Sequence, residues 1–271
     1  MSIRHAMVAG MFYPADAGTL NREVAQYLDA ARVPPGPERV RAIIVPHAGY
    51  MYSGATAGYG FARIRGKRPK RVVLLGRSHR CQFEGAAIFA HGSFETPVAG
   101  FAVDEPLAAQ LAVSSEVRTE EAHYAEHSLE VQLPFLHAVI GDTPIVPVLF
   151  GSEAADWHIA FGRRLAALLD PADLVLASTD LSHYYPQERA AQLDKATLNA
   201  VLEQDCAAMC RGFRDGRYAM CGAPAVVAAM AYALASGADH WQLLDYRTSA
   251  EASGDYQRVV GYGAISMEMA A

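Results

Sequence analysis

Three histidines follow short apolar runs of this sequence, and their side chains could bind a metal ion or transfer protons. His47, His79 and His183 each lie within six residues of the end of a run rich in Val, Ile and Leu. In open α/β sheets, ligands bind at the carboxyl ends of strands. Neutral imidazole is the commonest metal ligand in proteins and the usual acid or base near neutral pH. Together the three would hold a metal ion or move protons, whereas each one alone is as well explained as a hydrogen-bonded turn residue.

Asp180 and Cys221 add two groups of matching chemistry. Asp180 precedes His183 by three residues and could orient an imidazole, bind metal, or simply cap a turn at a strand exit. Cys221 stands before Pro224, which is typical of the first turn of a helix. The positive end of a helix lowers a thiol pKa and would favour a thiolate that can bind metal. On its spacing alone, Cys221 is better explained as a buried, inert cysteine.

Segment 126–130 opens a helix-like run and carries further polar groups. His127 would lie near the helix start, where a substrate group could also bind, and Glu130 could act as a general base. A charged first turn of a helix explains both residues equally well. Tyr50 and Tyr184 flank the predicted site and would either line an aromatic pocket or belong to the edge of the core.

The elements that must position these residues alternate between two patterns. Short apolar runs bounded by Gly or Pro predict buried strands: Val40 to Val45, Arg71 to Leu75, Ala86 to Ala90, Ile145 to Phe150, Leu174 to Ala177 and Arg258 to Ile265. Between them, a 3–4 spacing of apolar residues or an Ala-rich composition predicts helices near 20–28, 159–169, 187–204 and 224–236. The alternation predicts one α/β domain over residues 1–271, with a twisted, mostly buried central sheet and helices on both faces.

Composition excludes several classes of protein. Of the 271 residues, 52% are apolar and 19% are charged, which suffices for a large core and excludes a disordered chain. The net charge of −6 disfavours binding to nucleic acid, which needs clustered cations. The four cysteines do not resemble a secreted disulfide framework, and no apolar run approaches the length of a membrane span. We therefore expect a cytoplasmic protein with neither nucleic-acid nor membrane partners.

Several segments, in this order along nearly the whole chain, resemble the Memo-like family, which is named after a mediator of cell motility. The motifs that carry the resemblance are Gly10 to Pro14, Pro46 to Gly54, Leu75 to His79, Glu126 to Phe135, Ser178 to Tyr184, Cys221 to Pro224, Tyr246 to Ser249 and Val259 to Tyr262. As a set they are specific. Motifs for P-loop nucleotide binding, dinucleotide binding, serine hydrolases and zincins do not occur.

The resemblance implies a fold similar to the class III extradiol ring-cleaving dioxygenases, which hold non-haem Fe(II) with two His and one Glu. By motif, His47, His79 and Cys221 take the metal-ligand places, with Fe(II) foremost and copper or zinc as alternatives. His183 takes the place of the acid–base histidine, with Asp180 close by. His127 would line the pocket.

Two departures from these patterns matter for the chemistry. A cysteine, Cys221, stands where the ring-cleaving enzymes use a carboxylate, and a thiolate is a softer donor that can itself be oxidised. Arg77 stands where the family usually carries a small residue or Pro. Its cation would hold an anionic substrate or superoxide beside His79, or would point to solvent.

The resemblance supports two main hypotheses. The first is a redox enzyme that uses O2 on a small, perhaps phenolic, substrate. The second is a protein that binds a metal, a small molecule or a peptide in the same pocket without chemistry. A zinc hydrolase is a weaker third option, because two His and a Cys with water also suit catalytic zinc. Related bacterial proteins are encoded near radical-SAM enzymes, which implies partners in a shared pathway.

Overall fold

Strands and helices alternate along residues 2–34, 36, 38–112 and 120–270, which the computed structural model describes. The strands are β1 (Ile3–Arg4), β2 (Val40–Val45), β3 (Val72–Arg77), β4 (Ala86–Ile88), β5 (Ser93–Glu95), β6 (Gly100–Ala102), β7 (Ile145–Phe150), β8 (Leu174–Ser178), β9 (His183–Tyr185), β10 (His240–Thr248) and β11 (Val259–Glu268). The α-helices are α1 (Ala17–Ala30), α2 (Tyr50–Arg63), α3 (Glu105–Ala112), α4 (Glu121–Tyr124), α5 (Leu133–Ile140), α6 (Asp156–Leu168), α7 (Gln187–Leu202), α8 (Cys206–Arg214), α9 (Ala223–Ala235) and α10 (Ala250–Ser253). A 3-10 helix covers Glu130–Gln132.

The central sheet has the strand order β10-β11-β2-β8-β3-β7-β4. Its four inner strands, β2, β8, β3 and β7, run parallel to one another. Strand β4 pairs antiparallel with β7, while β10 and β11 form an antiparallel pair on the other side. Strand β9 pairs with β11 outside this order, and β1, β5 and β6 form a small separate sheet. The carboxyl ends of the four parallel strands therefore meet at one edge.

Burial of the inner strands explains why their sequences are mostly apolar. Every residue of β7 and of β8 is buried, and successive side chains of a strand point to opposite faces of the sheet. Both faces must therefore be covered. Helix α2 packs against β2, β10 and β11, whereas α9 packs against β2, β3, β7 and β8. Helix α1 packs on α2, and α6 packs on α9. The predicted α/β class is confirmed.

The six predicted strands and the helices predicted near 20–28, 159–169, 187–204 and 224–236 agree with observed elements apart from small shifts at their ends. The strand predicted at Arg71 to Leu75 is Val72–Arg77, and the one predicted at Arg258 to Ile265 is Val259–Glu268. Strand β10 is missing from the sequence prediction because this edge strand is only partly buried and lacks a continuous apolar run. Within the described ranges, no helix combines the length and the apolar character that a membrane span needs.

Two buried histidines are expected to make the free energy of unfolding depend on pH. His123 and His158 are each 1% exposed, and burial lowers the pKa of each to about 4. His123 Nδ1 and His158 Nε2 have no hydrogen-bond partner, so a proton added to His123 would lie buried and unpaired. The unfolded chain binds these protons below about pH 6.5, whereas the folded chain binds them only near pH 4. Stability is therefore lost as the pH falls through this window.

We expect His158→Gln to reduce this pH dependence. The free energy of unfolding, measured by urea denaturation, should lose about 1 kcal/mol per pH unit of its slope near pH 5, because one fewer proton is taken up on unfolding. His240→Gln, at an exposed position, is the matched control and should leave the slope unchanged. An unchanged slope in His158→Gln would contradict the assignment of His158 as a buried neutral group.

Candidate functional site

Three neighbouring parallel strands deliver the candidate site residues to one edge of the sheet. Strand β8 lies between β2 and β3, with Val45 opposite Ser178. The chain leaves β2 towards His47 and leaves β3 towards His79, and Ser178 ends β8. Because the three strands run parallel, these exits share the carboxyl edge. The adjacency could not be read from the sequence, since it depends on the strand order β2-β8-β3.

His47, His79 and Cys221 converge at this edge. One donor atom from each residue lies within 4.8 Å of the other two. Cys221 Sγ is 3.2 Å from His47 Nε2, and the rings of His47 and His79 are 5.0 Å apart between their centroids. His47 is buried, Cys221 is partly buried and His79 is exposed. The structure thus brings together the three residues that the resemblance implied as ligands.

A hydrogen-bond chain sets the tautomer of His47. Ser178 Oγ donates to the carbonyl oxygen of Ser128 at 2.7 Å, so it accepts from His47 Nδ1 at 2.9 Å. The proton of the imidazole is therefore on Nδ1, and the lone pair of Nε2 faces Cys221. Burial, followed by the charge of His79, lowers the pKa of His47 to about 3 and keeps the ring neutral. A neutral imidazole with a fixed tautomer is what a metal ion requires.

Glu126 orients the other two imidazoles, a role that the sequence alone did not reveal. Its Oε1 is 3.1 Å from His79 Nδ1 and 3.3 Å from His127 Nδ1, and its Oε2 accepts the His79 backbone N–H at 2.6 Å. Burial opposes ionisation of Glu126, but the hydrogen bond and the charge of His79 outweigh it and hold its pKa well below the usual range. The only available signal was its place beside His127 in segment 126–130.

The segment before α5 differs from the prediction. The sequence predicts a helix from residue 126 onwards, whereas regular structure begins with the 3-10 helix at Glu130. Residues 126–129 are not helical, and the backbone N–H groups of His127 and Ser128 instead donate to Glu126 Oε1 at 2.9 and 2.8 Å. The backbone of this loop therefore wraps around the Glu126 carboxylate. His127 therefore reaches the site from a loop and not from a helix N-terminus.

A cavity of about 410 Å³ opens beside the cluster. Six of the residues predicted for the site line it: His47, His79, His127, Asp180, His183 and Tyr184. Phe12 also lines it and packs against the His127 ring, with 4.9 Å between the ring centroids. Its volume falls in the range of small-molecule sites. We call it the main cavity.

A second cavity, of about 440 Å³, reaches the cluster from another side and contains Arg77. His79 lines both cavities, whereas Cys221 lines only this second one. Arg77 pairs with the exposed Glu153 at 2.5 Å. Arg77, predicted for the substrate pocket, thus lies beside His79 and Cys221 in this second cavity and does not line the main cavity.

Glu130 and Tyr50 also lie away from the main cavity, which corrects two predicted pocket residues. Glu130 is fully buried and pairs with the guanidinium of Arg4. Its Oε1 accepts the hydroxyl of Tyr13 at 2.5 Å, so no lone pair faces a ligand. Tyr50 is buried in α2, where its hydroxyl donates to the carbonyl of Val131 at 2.7 Å. Both residues stabilise the wall behind the site.

Asp180 lines the main cavity but does not hydrogen-bond His183 in the described structure. Its Oδ1 accepts the backbone N–H of His47 at 2.8 Å, and its Oδ2 lies 3.9 Å from His47 Nε2. Burial raises the pKa of Asp180, while its hydrogen bond with the His47 backbone opposes the rise. Asp180 therefore holds the loop that carries His47, in place of the predicted contact with His183.

The electrostatics of Cys221 agree with a buried thiol and not with a thiolate at a helix N-terminus. Helix α9 begins at Ala223, two residues beyond the thiol, so the dipole acts weakly. Burial, followed by the charge of Asp180, raises the pKa of Cys221 to about 12. Gly222 explains the burial, since a Cβ there would lie 2.3 Å from the carbonyl oxygen of Ser178 and force α9 away from β8. The free thiol is thus neutral, and a bound cation would be needed to make it a thiolate.

The fold and the donor cluster together define an α/β protein with a histidine–cysteine site at the carboxyl edge of a parallel sheet. The chain belongs to the Memo-like protein family, whose model matches residues 4–266. A MEMO1 family protein from Methanopyrus kandleri is 33% identical over 97% of this chain and 98% of its own length. One from Nitrosopumilus maritimus is 32% identical over 97% and 98%, respectively.

A solved structure supports the fold independently of close sequence similarity. An uncharacterized protein from Escherichia coli K12 superposes with a TM-score of 0.56, covering 83% of this chain and 99% of that one. The two sequences are only 16% identical. The likeness therefore concerns the arrangement of strands and helices alone.

Proposed function

We propose that this Memo-like protein binds one divalent metal ion through His47, His79 and Cys221, foremost Fe(II), with copper or zinc as alternatives. We further propose that it is an oxidoreductase that uses O2 on a small, phenol-like substrate in the main cavity. The observation that carries the proposal is the convergence of three donor atoms within 4.8 Å of one another, two of them from residues that line the main cavity, His47 and His79.

The surroundings of the donors fit such an ion. The remaining ring nitrogens of His47 and His79 are held by Ser178 and Glu126, as is usual for imidazoles that bind metal. Two imidazoles and one sulfur suit iron, copper or zinc better than Mg²⁺ or Ca²⁺, which prefer oxygen. The thiol proton of Cys221 would leave on binding, since a cation stabilises the thiolate.

Residues of this chain would transfer a proton, exclude water and position a metal ligand. Bound iron or copper would supply Lewis acidity and one-electron chemistry, whereas zinc would supply Lewis acidity alone. His183, on the wall of the main cavity, would take or give the proton of a substrate hydroxyl. Phe12 and the buried Tyr262 would limit water at the ring of the substrate. Asp180 would act as a positioning residue, because its bond to the His47 backbone fixes that ligand.

Elemental analysis of protein purified without oxygen tests the metal site. We expect about one iron or copper ion per chain in the wild type and loss of the ion in His47→Ala and in Cys221→Ala, because each variant removes one of three donors. Cys210→Ala is the matched control: this buried thiol lies in α8, outside the cluster, and the variant should keep its metal.

The identity of the bound metal separates the candidate functions. Zinc as the only metal would favour a hydrolase over the redox enzyme. Failure to bind any metal after reconstitution would contradict the proposal and favour a protein that only binds a ligand in the main cavity. Equal loss in Cys210→Ala would show that the variants lose metal through unfolding.

A further inference from the structure

Tyr184 occupies an unusual backbone position at the wall of the main cavity. Its φ is 64°, in the left-handed region that L-residues rarely adopt. Strand β9 pairs with β11 through His183 opposite Val260 and Tyr185 opposite Val259, so Tyr184 is an extra residue without an opposite partner. Such a bulge re-aims a side chain, and bulges are frequent beside active sites. The strain persists only where the surrounding contacts impose it.

The bulge places the Tyr184 ring beneath Arg258. The guanidinium carbon of Arg258 lies 5.3 Å from the ring centroid, and Arg258 also lines the main cavity. Among the residues that the structure describes, Arg258 forms no ion pair and no hydrogen bond. Stacking uses the face of a guanidinium and leaves its N–H edge free for a planar acceptor. Tyr184 therefore supports a cation whose donors remain available.

Arg258 lines the same cavity as two of the candidate metal ligands, His47 and His79. Arg258 is exposed, whereas His47 is 2% exposed, and both contribute to the same wall. A ligand that spans this cavity would contact the imidazoles as well as the guanidinium. Phe12 and Tyr262 also line the cavity, and their aromatic side chains suit a ring.

We propose that Arg258, supported by Tyr184, binds the carboxylate of a small aromatic ligand whose hydroxylated end faces the imidazoles. The inference rests on the proposed function, since it names the substrate class of the same cavity. The charge of the lining favours a carboxylate over a phosphate. Arg258 is the one Lys or Arg among the described residues of the lining, while Asp180 and Asp255 contribute two carboxylates. A dianion would lack a second cation beside Arg258.

Isothermal titration calorimetry with matched probes tests this assignment. 4-Hydroxybenzoate and 4-hydroxybenzamide have nearly the same shape and differ in charge, and 4-hydroxyphenyl phosphate tests the dianion. We expect the benzoate to bind the wild type about tenfold more tightly than the benzamide, because a charge-assisted bidentate contact is stronger than a neutral one. Arg258→Gln should bring the two affinities to parity.

Two further variants separate the cation from its support and from general charge effects. Tyr184→Gly tolerates the positive φ but lacks the ring, so a reduced preference for benzoate would assign the effect to stacking and not to the backbone. Arg189→Gln removes the same charge at an exposed position of α7 outside the cavity and should leave the preference intact.

The possible results either support or overturn the inference. Equal binding of benzoate and benzamide by the wild type, no binding of either, tighter binding of the phosphate, or an unchanged preference in Arg258→Gln would each overturn it. Measurement on metal-free and metal-loaded protein keeps it distinct from the proposed function. A preference that depends on Arg258 in protein that never binds metal would leave the anion site standing while the metal proposal fails. A metal site without the preference would show the reverse.

Discussion

Replacing Glu130 by alanine is expected to lower the free energy of unfolding by roughly 3–5 kcal/mol, because a buried cation would lose its counter-ion. The guanidinium of Arg4 is 1% exposed and pairs with Glu130. The same carboxylate accepts the backbone N–H groups of Met7 and Val8 at about 3 Å and the hydroxyl of Tyr13. Its removal would leave the Val8 N–H and the Tyr13 hydroxyl buried without this acceptor, which adds to the loss.

Urea denaturation measures this effect, and a surface pair provides the control. Glu153→Ala removes the partner of Arg77, but Glu153 is 75% exposed, so we expect a change below about 1 kcal/mol. Glu130→Gln keeps the shape and one acceptor oxygen and should be intermediate. A loss below about 1 kcal/mol in Glu130→Ala would mean that the carbonyl acceptors of Arg4 suffice without the carboxylate.

The stability of this pair also bears on the site. Arg4 donates to the carbonyl oxygens of His123 and Glu126 as well as to Glu130, so it ties the N-terminal strand to the loop that presents His127. In that loop the Glu126 carboxylate orients the candidate ligand His79. We expect Glu130→Ala to reduce metal occupancy in proportion to the unfolded fraction, and not as a ligand variant would.

Replacing His183 by alanine is expected to lower turnover by about 10²- to 10⁴-fold while metal content stays unchanged, because a positioned acid–base group contributes rate and not metal affinity. The residue lines the main cavity but is absent from the donor clusters of the described residues. Oxygen consumption with Fe(II) over a panel of catechols and other phenols measures turnover. Elemental analysis of the same samples measures the metal.

A control and two outcomes make the division of roles testable. His91→Ala changes an exposed histidine outside the cavity and should affect neither quantity. Loss of metal in His183→Ala would contradict the separation of roles between His183 and the three donors. A flat oxygen trace in the wild type, together with saturable ligand binding, would favour a protein that binds without chemistry.

The local pattern of apolar residues was enough to predict the buried strands of the fold. Strands β2 and β7 were predicted with their observed ends, because short apolar runs rich in Val and Ile that end at Pro or Gly suit a buried parallel strand. Strand β10 escaped prediction because it is partly exposed, and its place beside β11 comes from long-range pairing. The bulge at Tyr184 left no sequence signal, since no glycine marks the positive φ.

For the candidate site, too, some residues could be identified from the sequence, whereas the roles of others depend on tertiary contacts. His47, His79 and Cys221 were identified from motifs, because each stands at the end or start of an element and has a side chain that binds metals. The carboxylates were harder to assign, since Glu126 and Glu130 lie in one motif and differ only in what surrounds them. In the folded protein, the Glu126 carboxylate hydrogen-bonds to His79, whereas the Glu130 carboxylate forms an ion pair with Arg4. The spacing of the two residues contains no information about those partners.

By itself, the sequence determined the α/β class, the family and the residue types at the strand ends, because periodicity and motif order are local properties. Only the tertiary structure decided which of those residues share a cavity. It also decided that the Glu126 carboxylate orients an imidazole and that the Glu130 carboxylate forms a buried ion pair. It further decided between the two interpretations of Cys221, because burial outweighs a helix dipole that begins two residues away. Strand order and desolvation depend on contacts between segments far apart in the chain, and these contacts exist only once the sheet has formed.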